Sequence, residues 1–163
     1  RVRDFSMTTA EYLDLSSEAK EWLELAAILH DTGKIGIDDQ VLRKPSKLTE
    51  SEFDSIKQHP DHGTEILRHI KELGPAIPGM KGHHERYDGG GYPSGVKGTD
   101  IPLIARIISV ADTFDAMTSD RPYRKGMERQ VALDEIKNQA GRQFDPNVVE
   151  AFLKADQNGE ITI

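Results

Sequence analysis

Residues 101–118 read IPLIARIISVADTFDAMT, and their spacing decides the fold. Ile104, Ile107, Ile108, Ala111 and Phe114 recur every three or four positions, the period of one helical face. Asp112 sits one position off that stripe, where a helical carboxylate reaches inward at the edge of a core. The same period returns on both sides. Upstream, Trp22, Leu25, Ala26 and Leu29 follow a Ser16-Ser17 pair with acidic Glu18, which suits a helix N-terminus; that helix delivers His30 and Asp31 to its carboxyl end. Thr49 with Glu52 forms a capping box opening a helix through Ile56, and His59-Pro60 interrupts it. The next helix is predicted with Ile66, Leu67 and Ile70 inward, ending at Gly74-Pro75, and a further short helix carries Met80, His83 and His84. Downstream, Val131, Leu133 and Ile136, then Val148, Val149, Phe152 and Leu153, predict two last helices parted by Gly141 and the FDP turn at residues 144–146. Nothing alternates with period two over a useful length. The expectation is therefore all-α: one helical bundle of about six or seven helices over residues 1–155, its first helix cut short at the amino end, and a tail over residues 156–163.

The bulk numbers narrow the chemistry. With 163 residues the chain is long enough for one buried core and short for two. It has no cysteine, which excludes thiolate ligands and a cysteine nucleophile and fits a reducing compartment. A net charge of −7 argues against a general nucleic-acid surface, which needs a basic face to displace counterions. No apolar run approaches the roughly 18 residues of a membrane span, and RVRDFSMTTAEYL at the start lacks a signal-peptide core. The chain reads as cytoplasmic. Residues 87–99, YDGGGYPSGVKGT, are too rich in glycine and proline for a regular helix and predict a loop.

His30-Asp31, His59, the adjacent His83-His84 and Asp112 together are the ligand set of a two-metal hydrolytic site, which binds borderline metals through nitrogen and oxygen. One His-Asp pair alone is common. The ensemble carries the weight, above all the two neighbouring histidines directly before the glycine-rich loop. Successive helical side chains diverge by about 100°, yet both can reach one metal pair at a helix end.

Six blocks in order carry a resemblance: HDTGK (30–34), KPSKLT (44–49), QHPDHG (58–63), HHERYDGGGYP (83–93), ADTFDAMTSDRPYR (111–124) and GRQFDP (141–146). The chain resembles the HD-GYP subgroup of the HD-domain phosphohydrolases, the HHERYDGGGYP block marking the subgroup. The resemblance implies an all-α bundle with a binuclear centre, iron or manganese first and zinc, nickel, cobalt or magnesium as alternatives. It implies hydrolysis of the bacterial second messenger cyclic di-GMP to pGpG, and onward to GMP as a further step, by a metal-bridging hydroxide. Asp31 would bridge the metals, His30 and Asp112 would serve one, and His59, His83 and His84 the other. Lys34 would lie beside the scissile phosphate, Arg121 and Arg124 would clamp phosphate, and Gly91 and Tyr92 of the loop would line the substrate site. Asp115 would stand behind the ligands. Relatives usually carry another histidine ligand about three residues before the position of Arg1, so the sequence read here begins after it.

The physical reading agrees with these roles. A carboxylate can hold a cation on each oxygen about 3.5 to 4 Å apart. A lysine supplies positive charge where phosphoryl oxygens gain negative charge, and a guanidinium forks onto phosphate. His62 and His69 read as ordinary structural or surface histidines, and the tail ADQNGEITI as a turn, because Lys154 falls where a calcium loop needs its first aspartate. The resemblance further implies a receiver or sensor module in a longer chain and a loop surface for GGDEF-type proteins. Two other readings stay open: a cyclic di-GMP receptor or interaction module with negligible turnover, and a phosphohydrolase for another cyclic dinucleotide or nucleotide.

Overall fold

A computed structural model describes residues 1–120 and 125–162. Among them the chain forms nine α-helices: α1 (Val2–Ala10), α2 (Ser17–Leu29), α3 (Asp39–Leu42), α4 (Glu50–Ile56), α5 (His59–Leu67), α6 (Ile77–Lys81), α7 (Leu103–Thr118), α8 (Arg129–Asn138) and α9 (Pro146–Gln157). Short 3-10 turns at Thr32–Gly36, Lys71–Leu73 and Gly98–Asp100 complete it, and the described residues contain no strand. The all-α expectation holds, but the count exceeds six or seven. Helix α3 has only 4 residues, too few for a 3.6-residue period to register, whereas α6, at 5 residues, is the short helix expected around Met80.

The apolar stripe of α7 lies at the centre, packed by α1, α2, α6, α8 and α9. Ile107, Ile108, Ala111 and Phe114 are wholly buried, and the Phe114 ring meets Phe5 at 5.5 Å and Phe152 at 5.0 Å between centroids. Two inward assignments fail: Ile66 and Ile70 are each 45% exposed, while Leu67 is buried. In α8 Leu133 and Ile136 are buried and Val131 is 53% exposed. Helix α5 ends at Leu67, so Ile70 falls beyond it, and its packed side is the one bearing His59 and Gly63 against the Thr32–Gly36 turn.

Capping chemistry sets the helix starts. Ser16 Oγ accepts from Ala19 N at 3.1 Å and opens α2. Thr49 Oγ1 accepts from Glu52 N at 3.3 Å, and Glu52 Oε2 accepts from Thr49 N at 2.7 Å, closing the capping box of α4. Lys44 Nζ reaches both Glu52 oxygens at 2.8 and 2.7 Å, so the KPSKLT block is a fastened loop. Thr49→Ala is expected to cost about 1 kcal/mol in chemical denaturation, the usual worth of one cap.

The GRQFDP block is structural at its end. Asp145, 2% exposed, caps α9 by accepting from Asn147 N at 2.8 Å and pairs with Arg106 of α7, which joins the two helices. Beyond α9, Gly159 turns the chain at φ +75°, Arg129 bonds Asp156 and the Ile161 carbonyl, and Ile161 is 1% exposed. No helix among the described residues is long and apolar enough to cross a membrane.

Candidate metal centre

Three histidines are aimed by the same device. His30 is the C-cap of α2, His59 follows α4 by three residues, and His83 follows the Gly82 C-cap of α6. Each donates Nδ1–H to the carbonyl three residues earlier: His30 to Ala27 at 2.8 Å, His59 to Ile56 at 2.7 Å, His83 to Met80. A helix end leaves carbonyls without intrahelical partners, and a carbonyl can only accept. In the neutral imidazole the bond therefore fixes the tautomer and leaves Nε2 as a lone pair. His83 and His84 were expected on the short helix; they lie in the turn after it, where departure from the helix lets consecutive rings lie 4.0 Å apart.

These lone pairs converge. His59 Nε2 and His83 Nε2 are 3.4 Å apart, both rings are buried, and neither nitrogen carries hydrogen in this tautomer. Asp31, in the turn after α2, lies between histidines: Oδ2 is 3.4 Å from His30 Nε2 and Oδ1 is 3.6 Å from His59 Nε2. Asp112 Oδ1, from α7, is 3.7 Å from His30 Nε2. His30 Nε2 and Asp31 Oδ1 are buried polar atoms without a hydrogen-bond partner. Opposed lone pairs and orphaned acceptors repel one another until a cation sits among them, so the donor set fits divalent metal. Two trios each bring one ligand atom per residue within 4.8 Å of one another: His59, His83 and His84, and His30, Asp31 and His83. Asp112 belongs to neither trio and stands beside the second.

Charge and burial divide the imidazoles. Burial pushes His59 below the ordinary range, takes His83 down to about 4, with the His30 charge adding to it, and takes His84 down to about 2. His30 is raised instead: burial opposes its charged form, but Asp112 and Asp31 outweigh it. Burial alone would raise Asp112, yet His30 holds it well below the usual carboxylate range. Lys34 Nζ lies 2.7 Å from Asp31 Oδ2 and is 40% exposed, at the rim.

The site opens into a cavity of about 720 Å³ that Lys34, Tyr92 and Asp115 also line. The Tyr92 ring stacks on His84 at 4.8 Å and 23° between planes, and burial pushes its phenol up to about 12, so it stays protonated. Gly91 leaves room for that approach, since a Cβ there would lie 2.3 Å from Arg86 N and 2.5 Å from Glu85 Cα. Asp115 Oδ1 pairs with Arg1 Nε at 2.7 Å. Arg121 and Arg124 lie outside the described residues. His62 and His69 join neither ligand trio.

Sequence reasoning missed Glu85. It is 4% exposed and accepts from Ser94 N at 2.7 Å and Gly95 N at 3.1 Å, tying the glycine-rich loop beside the ligands. Its partners are backbone amides 9 and 10 residues further along the chain, which leave no mark in the sequence. Glu85→Gln, which keeps the shape and removes the charge, is expected to cost about 1–2 kcal/mol in denaturant unfolding and to raise amide exchange in the loop. Arg86 and Gln143, also on the cavity wall, were not singled out either.

A helical bundle that gathers candidate imidazole and carboxylate ligands, from helix ends and from the central helix α7, into one cavity is the arrangement of an HD-type protein. The sequence model of the family described as HD domain matches residues 1–148, and the chain belongs to that family. It is 49% identical over 158 residues to the cyclic di-GMP phosphodiesterase response regulator RpfG of Xanthomonas campestris pv. campestris, covering 94% of this chain and 41% of the relative. It is 45% identical over 166 residues to a cyclic di-GMP phosphodiesterase of Thermotoga maritima, covering 99% of this chain and 44% of the relative. The chain thus spans about two fifths of the length of these curated relatives. The fold matches a crystal structure of a cyclic GMP-AMP specific phosphodiesterase of V. cholerae with a TM-score of 0.75 at 23% identity, covering 97% of this chain and 43% of the other.

Proposed function

We propose that this chain is a metal-dependent phosphodiesterase that opens cyclic di-GMP to linear pGpG. The observation that carries the reading is the convergence of buried, hydrogen-free Nε2 atoms with the Asp31 and Asp112 carboxylates on one cavity. Two divalent ions bound there would polarise a phosphoryl oxygen and lower the pKa of the attacking water. His59, His83 and His84 form one natural ligand group, with His30 and Asp112 at the other end and Asp31 facing both through its two oxygens.

Hydrolysis adds water across one P–O3′ bond of the ring and leaves a 5′-phosphate and a 3′-hydroxyl. Lys34, at the rim and beside Asp31, is placed to neutralise charge growing on a non-bridging oxygen. The Tyr92 hydroxyl is a donor at neutral pH, and its ring, stacked on His84, forms the wall that orients the nucleotide beside the ligands. No cysteine is present for a covalent route. Iron or manganese suits the mixed nitrogen and oxygen donors. The family resemblance supports a place in a longer cytoplasmic signalling chain with a receiver or sensor module. It also supports a GGDEF-type partner at the outer edge of the loop, where Val96 is exposed.

Metal-loaded protein incubated with cyclic di-GMP, with products separated by chromatography and weighed by mass spectrometry, tests this directly. The expected product has the mass of pGpG. Saturable binding without product would replace the enzyme with a receptor, and turnover of other cyclic dinucleotides alone would move the substrate.

A further inference from the structure

The cavity has a second polar wall that the phosphate chemistry does not use. Arg86 and Gln143 line it from different segments, which are laced together by Tyr87 N bonding Gln143 O at 3.0 Å and Asp88 N bonding Arg142 O at 2.8 Å. The guanidinium is held on two sides: Nε and Nη2 donate to the Asp88 carboxylate at 3.1 and 2.7 Å, and Nη1 donates to Gln143 Oε1 at 3.2 Å. An arginine has five N–H groups, so one remains on each terminal nitrogen. Gln143 has given its oxygen to Arg86, and among the described residues nothing accepts from its amide nitrogen. The nearby Glu85 carboxylate is taken by the Ser94 and Gly95 amides. What this wall offers a ligand is N–H donors in a pre-set orientation.

Resting on the phosphodiesterase reading above, we propose that Arg86 and Gln143 are specificity-determining residues that read the Hoogsteen edge of a guanine base of the substrate. Guanine presents two acceptors there, N7 and O6, and an arginine fork or a paired donor set matches both. Adenine presents N7 and an N6 amine, so a donor wall meets a donor and one N–H of each is left unpaired. The arrangement selects for the base by mismatch as much as by contact, and the Asp88 clamp keeps Arg86 from swinging away to relieve it.

The test compares kcat/KM of metal-loaded protein for cyclic di-GMP and cyclic di-AMP in the wild type, Gln143→Glu and Gln143→Met, with thermal melting to confirm folding. The wild type is expected to prefer cyclic di-GMP by roughly 10–100-fold. Gln143→Glu, which turns a donor into an acceptor, should reduce that ratio at least about tenfold, mainly through KM, and Gln143→Met should reduce it without favouring adenine. A ratio unchanged within twofold in both variants, or equal losses on both substrates, overturns the inference. Hydrolysis of bis(p-nitrophenyl) phosphate, which has no base, monitors the phosphodiesterase reading separately. If the wild type hydrolyses nothing, that reading fails while base recognition is still read by equilibrium binding. A guanine preference in Kd that Gln143→Glu removes then supports the inference, and equal Kd values for the two dinucleotides overturn it.

Discussion

Asp31→Ala is expected to lower cyclic di-GMP turnover by at least about 10³-fold while leaving the protein folded. Among the described residues Asp31 is the one carboxylate within 4 Å of two histidine Nε2 atoms, through Oδ2 to His30 and Oδ1 to His59, and it also holds Lys34 at 2.7 Å. In the proposed centre its loss would remove a shared ligand and free the rim cation together. Several kcal/mol of charge stabilisation depend on that ligand set, and each ~1.4 kcal/mol is a tenfold in rate. Folding is a separate matter, because the Asp31 side chain is 39% exposed and caps no helix by its side chain. Its melting temperature without added metal should stay within a few degrees of the wild type. Asp31→Asn, of equal shape, should be nearly as inactive, since a neutral amide cannot bridge two cations. A variant that retains a tenth of the turnover would contradict the role given to Asp31.

Gly33→Ala should be the most damaging single methyl in the molecule. A Cβ at Gly33 would lie 1.8 Å from the His59 carbonyl oxygen and 2.4 Å from Gly63 N, both backbone atoms of α5 that cannot rotate aside. The Thr32–Gly36 turn and α5 would have to separate, and this contact is what sets Asp31 against His59. Overpacking of this severity is expected to cost about 3 kcal/mol or more, roughly 6–12 °C in melting temperature for a domain of this size, with weakened metal binding. Gly36→Ala is the internal control. The three atoms nearest its Cβ all belong to the His62 ring, with Nδ1 at 2.8 Å, a side chain that can turn away, so its cost should be well below half as large. Equal melting shifts for the two variants would contradict the close-approach account.

What could be read in the letters was whatever depends on local order. The α7 stripe, the Thr49–Glu52 capping box and the delivery of His30 to a helix end follow from spacing and capping chemistry, which act over a few residues. The misplaced residues depend on tertiary neighbours. Ile66 and Ile70 satisfy the helical period, yet α5 turns its His59 and Gly63 side inward because a glycine turn packs there. Gly33 proves to be a point of backbone contact with α5, which no single stretch of chain contains. Glu85 was invisible for a like reason: its partners, Ser94 and Gly95, are amides, and amides carry no sequence signal. Six residues in order, four His and two Asp, suggested a ligand set; the Nδ1 bonds to Ala27, Ile56 and Met80, which aim three of its rings, emerge only with helix ends in place.

The most direct measurement is metal content together with cyclic di-GMP turnover on anaerobically purified protein, before chelation, after it, and after iron or manganese is restored. The account predicts close to two metal ions per chain, turnover that disappears with the metal, and recovery in proportion to the ions regained. Turnover that survives complete chelation, or a fully loaded protein that binds cyclic di-GMP and forms no product, would contradict it.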